Sequence, residues 1–302
     1  MRQKGVGNLK ELILSILPED KMKIDEPLRN HSSFKIGGTA DFLVIPSTKD
    51  GLVKLVAALG EEKINYIVIG NGSNIIFADE GFRGVVIKTT GINECSLEGD
   101  VITAGNGILL SSLANFACNN SLGGLEFVAG IPGTLGGAVL MNAGAYGGEM
   151  KDVVIETEYL DVGGSVKTIK EHGFGYRKSI FSSGNEIILE SKLKLFARDR
   201  REIAEHMVEL ANKRREKQPL DMPSAGSTFK RPEGYFAGKL IEDAGLRGFS
   251  IGGAQVSEKH CGFIVNRGDA TAKDVLELIS YCQKCVLEQF GVELETEVKY
   301  MG

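Results

Sequence analysis

The chain has 302 residues, 42% apolar and 25% charged, a composition ordinary for folded protein and long enough for about two domains with a large core. Its net charge of −5 excludes a general electrostatic attraction to nucleic acid or an anionic membrane, so any anionic ligand must be held by local groups. Five cysteines (Cys95, Cys118, Cys261, Cys282, Cys285) are an odd number, and the first apolar stretch, residues 12–17, is preceded by Lys10 and Glu11 and closed by Pro18. With Arg2 and Lys4 ahead of it, that stretch reads as a short amphipathic helix and not as a leader. No run is long enough to span a bilayer, so a soluble protein of a reducing compartment, without disulfides or membrane insertion, is expected.

Strand-like 42–46 is followed by a helical pattern at 51–62 and a strand at 66–70 that runs into the glycine loop GNGSN, residues 70–74. A second set follows, with strands at 84–88 and 101–105 and a helix at 110–119. Next comes the most unusual stretch of the chain, AGIPGTLGGAVLMNAGAYGGE at 129–149, with seven glycines. Glycine at this density marks positive φ or a close approach to the backbone, and ligand contact explains the whole stretch better than a series of turns. β-Branched strands return at 153–162, 165–169 and 186–196, and 199–217 reads as one charged helix with Asp199 as N-cap and Pro219 as its stop. Beyond lie a polar loop to Ser227, a helix at 236–244, a strand at 262–266, a helix at 271–289 and a last strand at 293–300. The pattern predicts an α+β protein around a mixed sheet, without internal repeats.

Cys282 and Cys285 form a C-x-x-C inside a strongly helical segment with no second Cys or His pair at zinc spacing, and His31, His172, His206 and His260 are scattered. Both observations predict no metal site. The dinucleotide and P-loop fingerprints also fail. Ile75 and Leu110 occupy the third glycine's place after Gly70-Asn-Gly72 and Gly105-Asn-Gly107, and the G-x-x-x-G-K at 234–239 is one residue short and followed by Leu240. What remains is two glycine loops, 70–74 and 130–137, whose backbone N–H groups can form anion nests with Ser73, Asn74 and Thr134 adding donors. Two nests suit a diphosphate flanked by two bulky groups.

The ordered motifs HSSFKIGG (31–38), GNGSN, GIPGTLGGAVLMNAGAYGGE, YRKSIF (176–181), PSAGSTFKRP (223–232), AGKLIEDAGLRG (237–248) and LETEV (294–298) resemble the UDP-N-acetylenolpyruvoylglucosamine reductase (MurB) family over nearly the whole chain. The resemblance implies a flavin domain of the vanillyl-alcohol-oxidase (PCMH) type in two parts, residues 1–88 and 89–205, and an α+β substrate domain at 206–302 whose last strand returns to the flavin site. It implies a monomeric cytoplasmic oxidoreductase with noncovalent FAD. With NADPH as reductant, the enzyme converts the enolpyruvyl ether of UDP-N-acetylglucosamine to UDP-N-acetylmuramate for peptidoglycan and cell-wall synthesis.

On that resemblance Ser227 is the proton donor to the substrate carbon, Arg177 the clamp on the substrate carboxylate and its developing enolate, and Glu297 the third catalytic residue. An anion near an enolate would repel it, so Glu297 is expected to be protonated or hydrogen-bonded to Arg177 or Ser227. FAD contacts are expected from Gly70, Asn71, Gly72, Ser73, Asn74, Gly130, Ile131, Pro132, Gly133, Thr134, Gly136, Gly137, Asn142, Ala143 and Arg214. Substrate or nicotinamide contacts are expected from Tyr146, Tyr176, Lys217, Lys230 and Lys259. Lys217 and Arg214 also sit where a helix C-terminus favours cations whatever the ligand. The chain lacks room for the insert of the longer family type and carries Arg231 after the FK pair, so it resembles the shorter, second type. The rival readings are a related noncovalent flavin alcohol oxidase and a regulatory protein with a dead nucleotide site.

Overall fold

The computed structural model describes residues 2–302, with side chains from residue 7 onward, so those of Arg2 and Lys4 lie outside the described ones. The chain forms two compact units, one from residues 1–25, 41–71 and 83–211, the other from 26–40, 72–82 and 212–302. The division is not into three consecutive blocks: two early segments join the C-terminal unit because Phe34, Ile36 and Ile76 are buried in that unit's core.

The first unit holds two sheets, each with its own core. One has the order Met22–Pro27, Thr39–Val44, Phe82–Lys88, Tyr66–Ile69, the last two parallel. Phe42 and Val44 alternate inward, as do Val85 and Ile87, toward Leu52, Leu55 and Leu59 of the helix Lys49–Glu61. Thr48 caps that helix, its hydroxyl accepting from Gly51 N at 3.1 Å. The helix Arg2–Leu14 adds Ile13 to the same core.

The second sheet is antiparallel, in the order Val166–Ile169, Val154–Leu160, Ile187–Lys194, Val101–Gly105, Cys95–Glu98. Its core gathers Ile102 and Leu193 from the strands and Leu113 and Val139 from the helices Leu110–Asn119 and Leu135–Leu140. The latter helix lies inside the glycine stretch, where no helix is expected from the sequence. A buried carboxylate joins this unit's loops: Glu126 accepts from Gly124 N at 2.7 Å and from Arg198 Nη1 at 3.0 Å. A second buried polar chain runs through His172. The Lys170 carbonyl can only accept, so His172 Nδ1 donates to it (3.0 Å), leaving Nε2 to accept from Thr157 Oγ1 (2.8 Å), which accepts from Ser191 Oγ (2.9 Å). Burial lowers the His172 pKa.

In the second unit the helix Ala272–Phe290 covers the sheet Ser250–Ile251, Ala254–Val256, Ile264–Asn266. Thr271 and Asp274 close a capping box at its start, the Asp79 carboxylate accepts from Ala272 N (2.8 Å) and Lys273 N (3.1 Å), and Gly291 ends it at φ 68°. Cys282 lies on its buried face with Val275, Leu278 and Val286; burial, with Cys285 and Cys261 nearby, pushes that thiol up to about 12. A parallel pair, Ile75–Phe77 with Lys299–Met301, completes the unit. The strand expected at 293–300 is therefore shorter, because residues 295–297 instead run beside 228–230, with Phe229 bridging Thr296.

Candidate active site

In the first unit the two glycine loops meet. Asn71 Nδ2 donates to the Pro132 carbonyl at 2.8 Å, and a Cβ on Gly70 would overlap the Thr134 hydroxyl, so only glycine permits the approach. Thr134 caps the helix Leu135–Leu140, its hydroxyl taking Gly137 N at 3.5 Å. Leu135 N and Gly136 N donate to the carbonyls of Ile108 (3.0 Å) and Asn106 (2.8 Å). Those three amides are satisfied within the protein, as is that of Ile131, which donates to Val128 O at 2.9 Å, and Pro132 has none. Gly130 and Pro132 are exposed, Ile131 and Gly133 half-buried.

A second constellation in this unit joins the end of the glycine stretch to the Tyr-Arg motif. Asn142 is 1% exposed, and its amide links three segments: Nδ2 donates to Gly175 O (3.0 Å) and Glu149 Oε2 (2.9 Å), and Oδ1 accepts from Lys151 N (2.9 Å). Ala143 beside it is buried. The turn 175–178 closes on itself through Gly175 N to Lys178 O at 2.9 Å, and Ser179 Oγ anchors it to Leu140 O at 2.6 Å. Arg177 Nη1 donates to Gly144 O at 3.3 Å, and its guanidinium lies 5.5 Å from the Tyr176 ring centre. Asn142, Tyr146 and Arg177 all hold positive φ, at 44°, 54° and 51°. Such strain in residues other than glycine collects where the surrounding structure fixes a functional geometry. The Lys151 ammonium first, then the Asn142 amide and the Arg177 charge, hold the Glu149 carboxyl below its ordinary value.

The second unit contains Gly72, Ser73 and Asn74 from the first glycine loop, together with Ser227 and Glu297. Gly72 stands at φ 67°, and its position beside the His31 carbonyl leaves no room for a side chain. Glu297 N donates to Thr228 O at 2.8 Å, and the Glu297 carbonyl accepts from Asn74 Nδ2 at 3.1 Å. The three motifs AGSTF, LETEV and GNGSN thus converge on one ladder. Thr228 is pinned from its other edge, its N–H donating to Gly262 O (2.9 Å) and its hydroxyl accepting from Ile264 N (3.1 Å). Ser227 and Glu297 are both half-buried.

The remaining expected contacts are less gathered. Lys230 pairs with Glu295 and Lys259 Nζ donates to Arg215 O at 2.6 Å, while Lys217 is exposed and Arg214 half-buried at the end of the helix Arg200–Lys217. Tyr146 and Tyr176 are exposed. Glu149 and Ser179 are missed by motif reading; the only signal for Glu149 is its place directly after the last glycine pair of the stretch.

Residues 40–170 match the family model of an FAD binding domain, and residues 218–301 match that of the UDP-N-acetylenolpyruvoylglucosamine reductase C-terminal domain. The chain is 52% identical to the UDP-N-acetylenolpyruvoylglucosamine reductase of Caldanaerobacter subterraneus subsp. tengcongensis over 98% of both chains. It is 50% identical to that of Clostridioides difficile over 96% of both. The crystal structure of UDP-N-acetylenolpyruvylglucosamine reductase (MurB) from Thermus caldophilus superimposes with a TM-score of 0.79 at 36% identity, covering 93% of this chain and 100% of that one. Wild-type Phl p 4.0202, a glucose dehydrogenase, shares the fold alone (TM-score 0.51, 14% identity, 95% of this chain and 63% of that one). The architecture is therefore an N-terminal FAD-binding domain of the PCMH type followed by an α+β domain, and the chain belongs to the UDP-N-acetylenolpyruvoylglucosamine reductase family.

Proposed function

We infer that this oxidoreductase reduces UDP-N-acetylglucosamine enolpyruvate to UDP-N-acetylmuramate, a peptidoglycan precursor, with NADPH as the electron source. The reading is carried by family membership together with the Thr228–Glu297 ladder, which supports Ser227 and Glu297 acting on one substrate. The chain's residues fit noncovalent FAD. Residues 70–74 and 130–134 contain no carboxylate, offer backbone amides and hydroxyls suited to a diphosphate, and contain no His or Cys for covalent attachment. When bound, FAD supplies the hydride relay between the nicotinamide and the enolpyruvyl methylene carbon.

The protein's own groups handle charge and proton. Hydride addition to the methylene builds negative charge on the adjacent carbon and its carboxylate. Arg177, permanently charged and forked, clamps that carboxylate. The Ser227 hydroxyl delivers the proton; it is a weak acid, but the carbanion-like centre is a strong base. Glu297 orders the proton donor. Tyr146 and Tyr176 are exposed apolar surfaces for the substrate, and Lys217 suits its phosphates.

Anaerobic stopped-flow on the holoenzyme tests the reading by separating flavin reduction by NADPH from flavin reoxidation by the enolpyruvyl substrate. Substrate-dependent reoxidation with formation of UDP-N-acetylmuramate is expected. Flavin reduction by simple alcohols, with no response to the enolpyruvyl ether, would establish the alcohol-oxidase reading instead.

A further inference from the structure

We propose that Asn142 is the positioning residue for the Arg177 turn, and that its amide orients the guanidinium through Gly175 and Glu149 instead of contacting the cofactor. This rests on the carboxylate-clamp reading of Arg177. Three observations carry it. All the hydrogen-bonding directions made by the Asn142 side chain end on protein: Gly175 O at 3.0 Å, Glu149 Oε2 at 2.9 Å and Lys151 N at 2.9 Å. With the side chain 1% exposed, a ligand could reach it only by displacing one of these.

The second observation is that the bond to Gly175 holds the first residue of the turn whose third residue is Arg177, two peptides from the guanidinium-bearing Cα. The other side of the turn is tied to Leu140 O by Ser179 Oγ at 2.6 Å and Ser182 Oγ at 3.3 Å, so the turn is held at both ends by the segment preceding and including Asn142. The third is the coincidence of positive φ at Asn142 (44°), Tyr146 (54°) and Arg177 (51°). A side chain that bridges two strained segments is what keeps both in place. Arg177 Nη1 completes the circuit by donating to Gly144 O at 3.3 Å, two residues beyond Asn142. Glu149, hydrogen-bonded to Asn142 and ion-paired with Lys151 at 2.8 Å, places one negative charge beside this circuit.

The test uses full-length FAD-loaded enzyme carrying Asn142→Asp, with UDP-N-acetylglucosamine enolpyruvate and NADPH as the reactants. The substitution keeps shape but turns the donor toward Gly175 O and Glu149 into an acceptor. FAD content and flavin reduction by NADPH should stay within about 3-fold of wild type while reoxidation by substrate slows by about 30-fold or more at about pH 8. A carboxyl facing a carboxylate holds its proton more tightly, so the introduced carboxyl, once protonated, should donate again and restore much of the substrate step toward about pH 5.5. Adding Glu149→Gln, which reverses donor and acceptor across the pair, should recover about 5-fold or more at the higher pH. Independently of turnover, hydrogen exchange at the amides of residues 175–182 should accelerate by about 10-fold or more in Asn142→Asp, with the rest of the first unit unchanged.

Equal loss in both half-reactions, a loss indifferent to pH, or unchanged exchange in 175–182 would overturn the proposal. If the single variant does not accumulate as holoprotein, the double variant is compared directly with wild type, and a loss confined to the substrate step supports the proposal while equal losses overturn it. A wild type inert toward the enolpyruvyl substrate defeats the reading of function instead, and the exchange experiment still decides the role of Asn142.

Discussion

The backbone N–H of Glu297 donates to the carbonyl of Thr228 at 2.8 Å, so the acid of the LETEV motif and the serine before Thr228 are held on adjoining segments. Lys230 N to Glu295 O, also at 2.8 Å, continues the same ladder. A half-buried serine has no intrinsic acidity to offer at neutral pH. The proton-donor role proposed for Ser227 therefore has to rest on position, and this pairing holds the backbone next to it.

Ser227→Ala should therefore separate the half-reactions. Flavin reduction by NADPH is expected to remain near the wild-type rate, and reoxidation by the enolpyruvyl substrate to slow by about 10²-fold or more. Stopped-flow absorbance of the flavin reads both steps, and equal slowing would make Ser227 a structural residue.

Gly70→Ala should weaken FAD retention. The new Cβ would overlap the Thr134 hydroxyl, forcing Thr134 off its helix cap and separating the two glycine loops. Far-ultraviolet circular dichroism should stay native-like while the purified protein loses flavin on gel filtration. A variant that holds FAD as tightly as wild type would remove this loop contact from the cofactor site.

Glu126→Ala tests the core of the first unit. Glu126 is 6% exposed, and its loss leaves Arg198 Nη1 and Gly124 N without their acceptor. Since Arg198 is partly solvated, about 2–4 kcal/mol of stability should be lost. Urea unfolding measures it, and a change below about 0.5 kcal/mol would show that water replaces the carboxylate.

The buried His172 gives an acid dependence whose sign is fixed. Burial lowers its pKa from 6.5, so the fold prefers the neutral ring. The unfolded chain then binds more protons, and this stabilisation is present above about pH 6.5 and lost as pH falls through the lowered folded value. His172→Gln should be less stable than wild type near neutrality but lose less between about pH 7 and pH 5. Parallel melting-temperature curves for the two proteins would refute this.

The periodic helices 110–119 and 199–217 are readable in the sequence because their signals are local: at the start of the second, Asp199 Oδ1 accepts from Arg201 N at 2.8 Å. The helix Leu135–Leu140 is not, because two of its six residues are glycines and its stability comes from tertiary bonds to Ile108 and Asn106. The strand Ile75–Phe77 is too short to register as a period, and its partner lies at residues 299–301. The motifs identify Arg177, Ser227 and Glu297 as candidates. They could not show that the Asn142 amide turns toward Gly175, since a buried asparagine in a glycine-rich stretch has no local preference for one partner.

The interleaving of the two units sets an order of assembly during synthesis. All three segments of the first unit precede residue 212, so it can condense while the chain is still being made. Segments 26–40 and 72–82 must then wait outside it, with Phe34, Ile36 and Ile76 uncovered, until residues 212–302 emerge to bury them. For that interval the nascent protein displays two apolar loops, the places where a chaperone would hold it and where a stalled chain would aggregate.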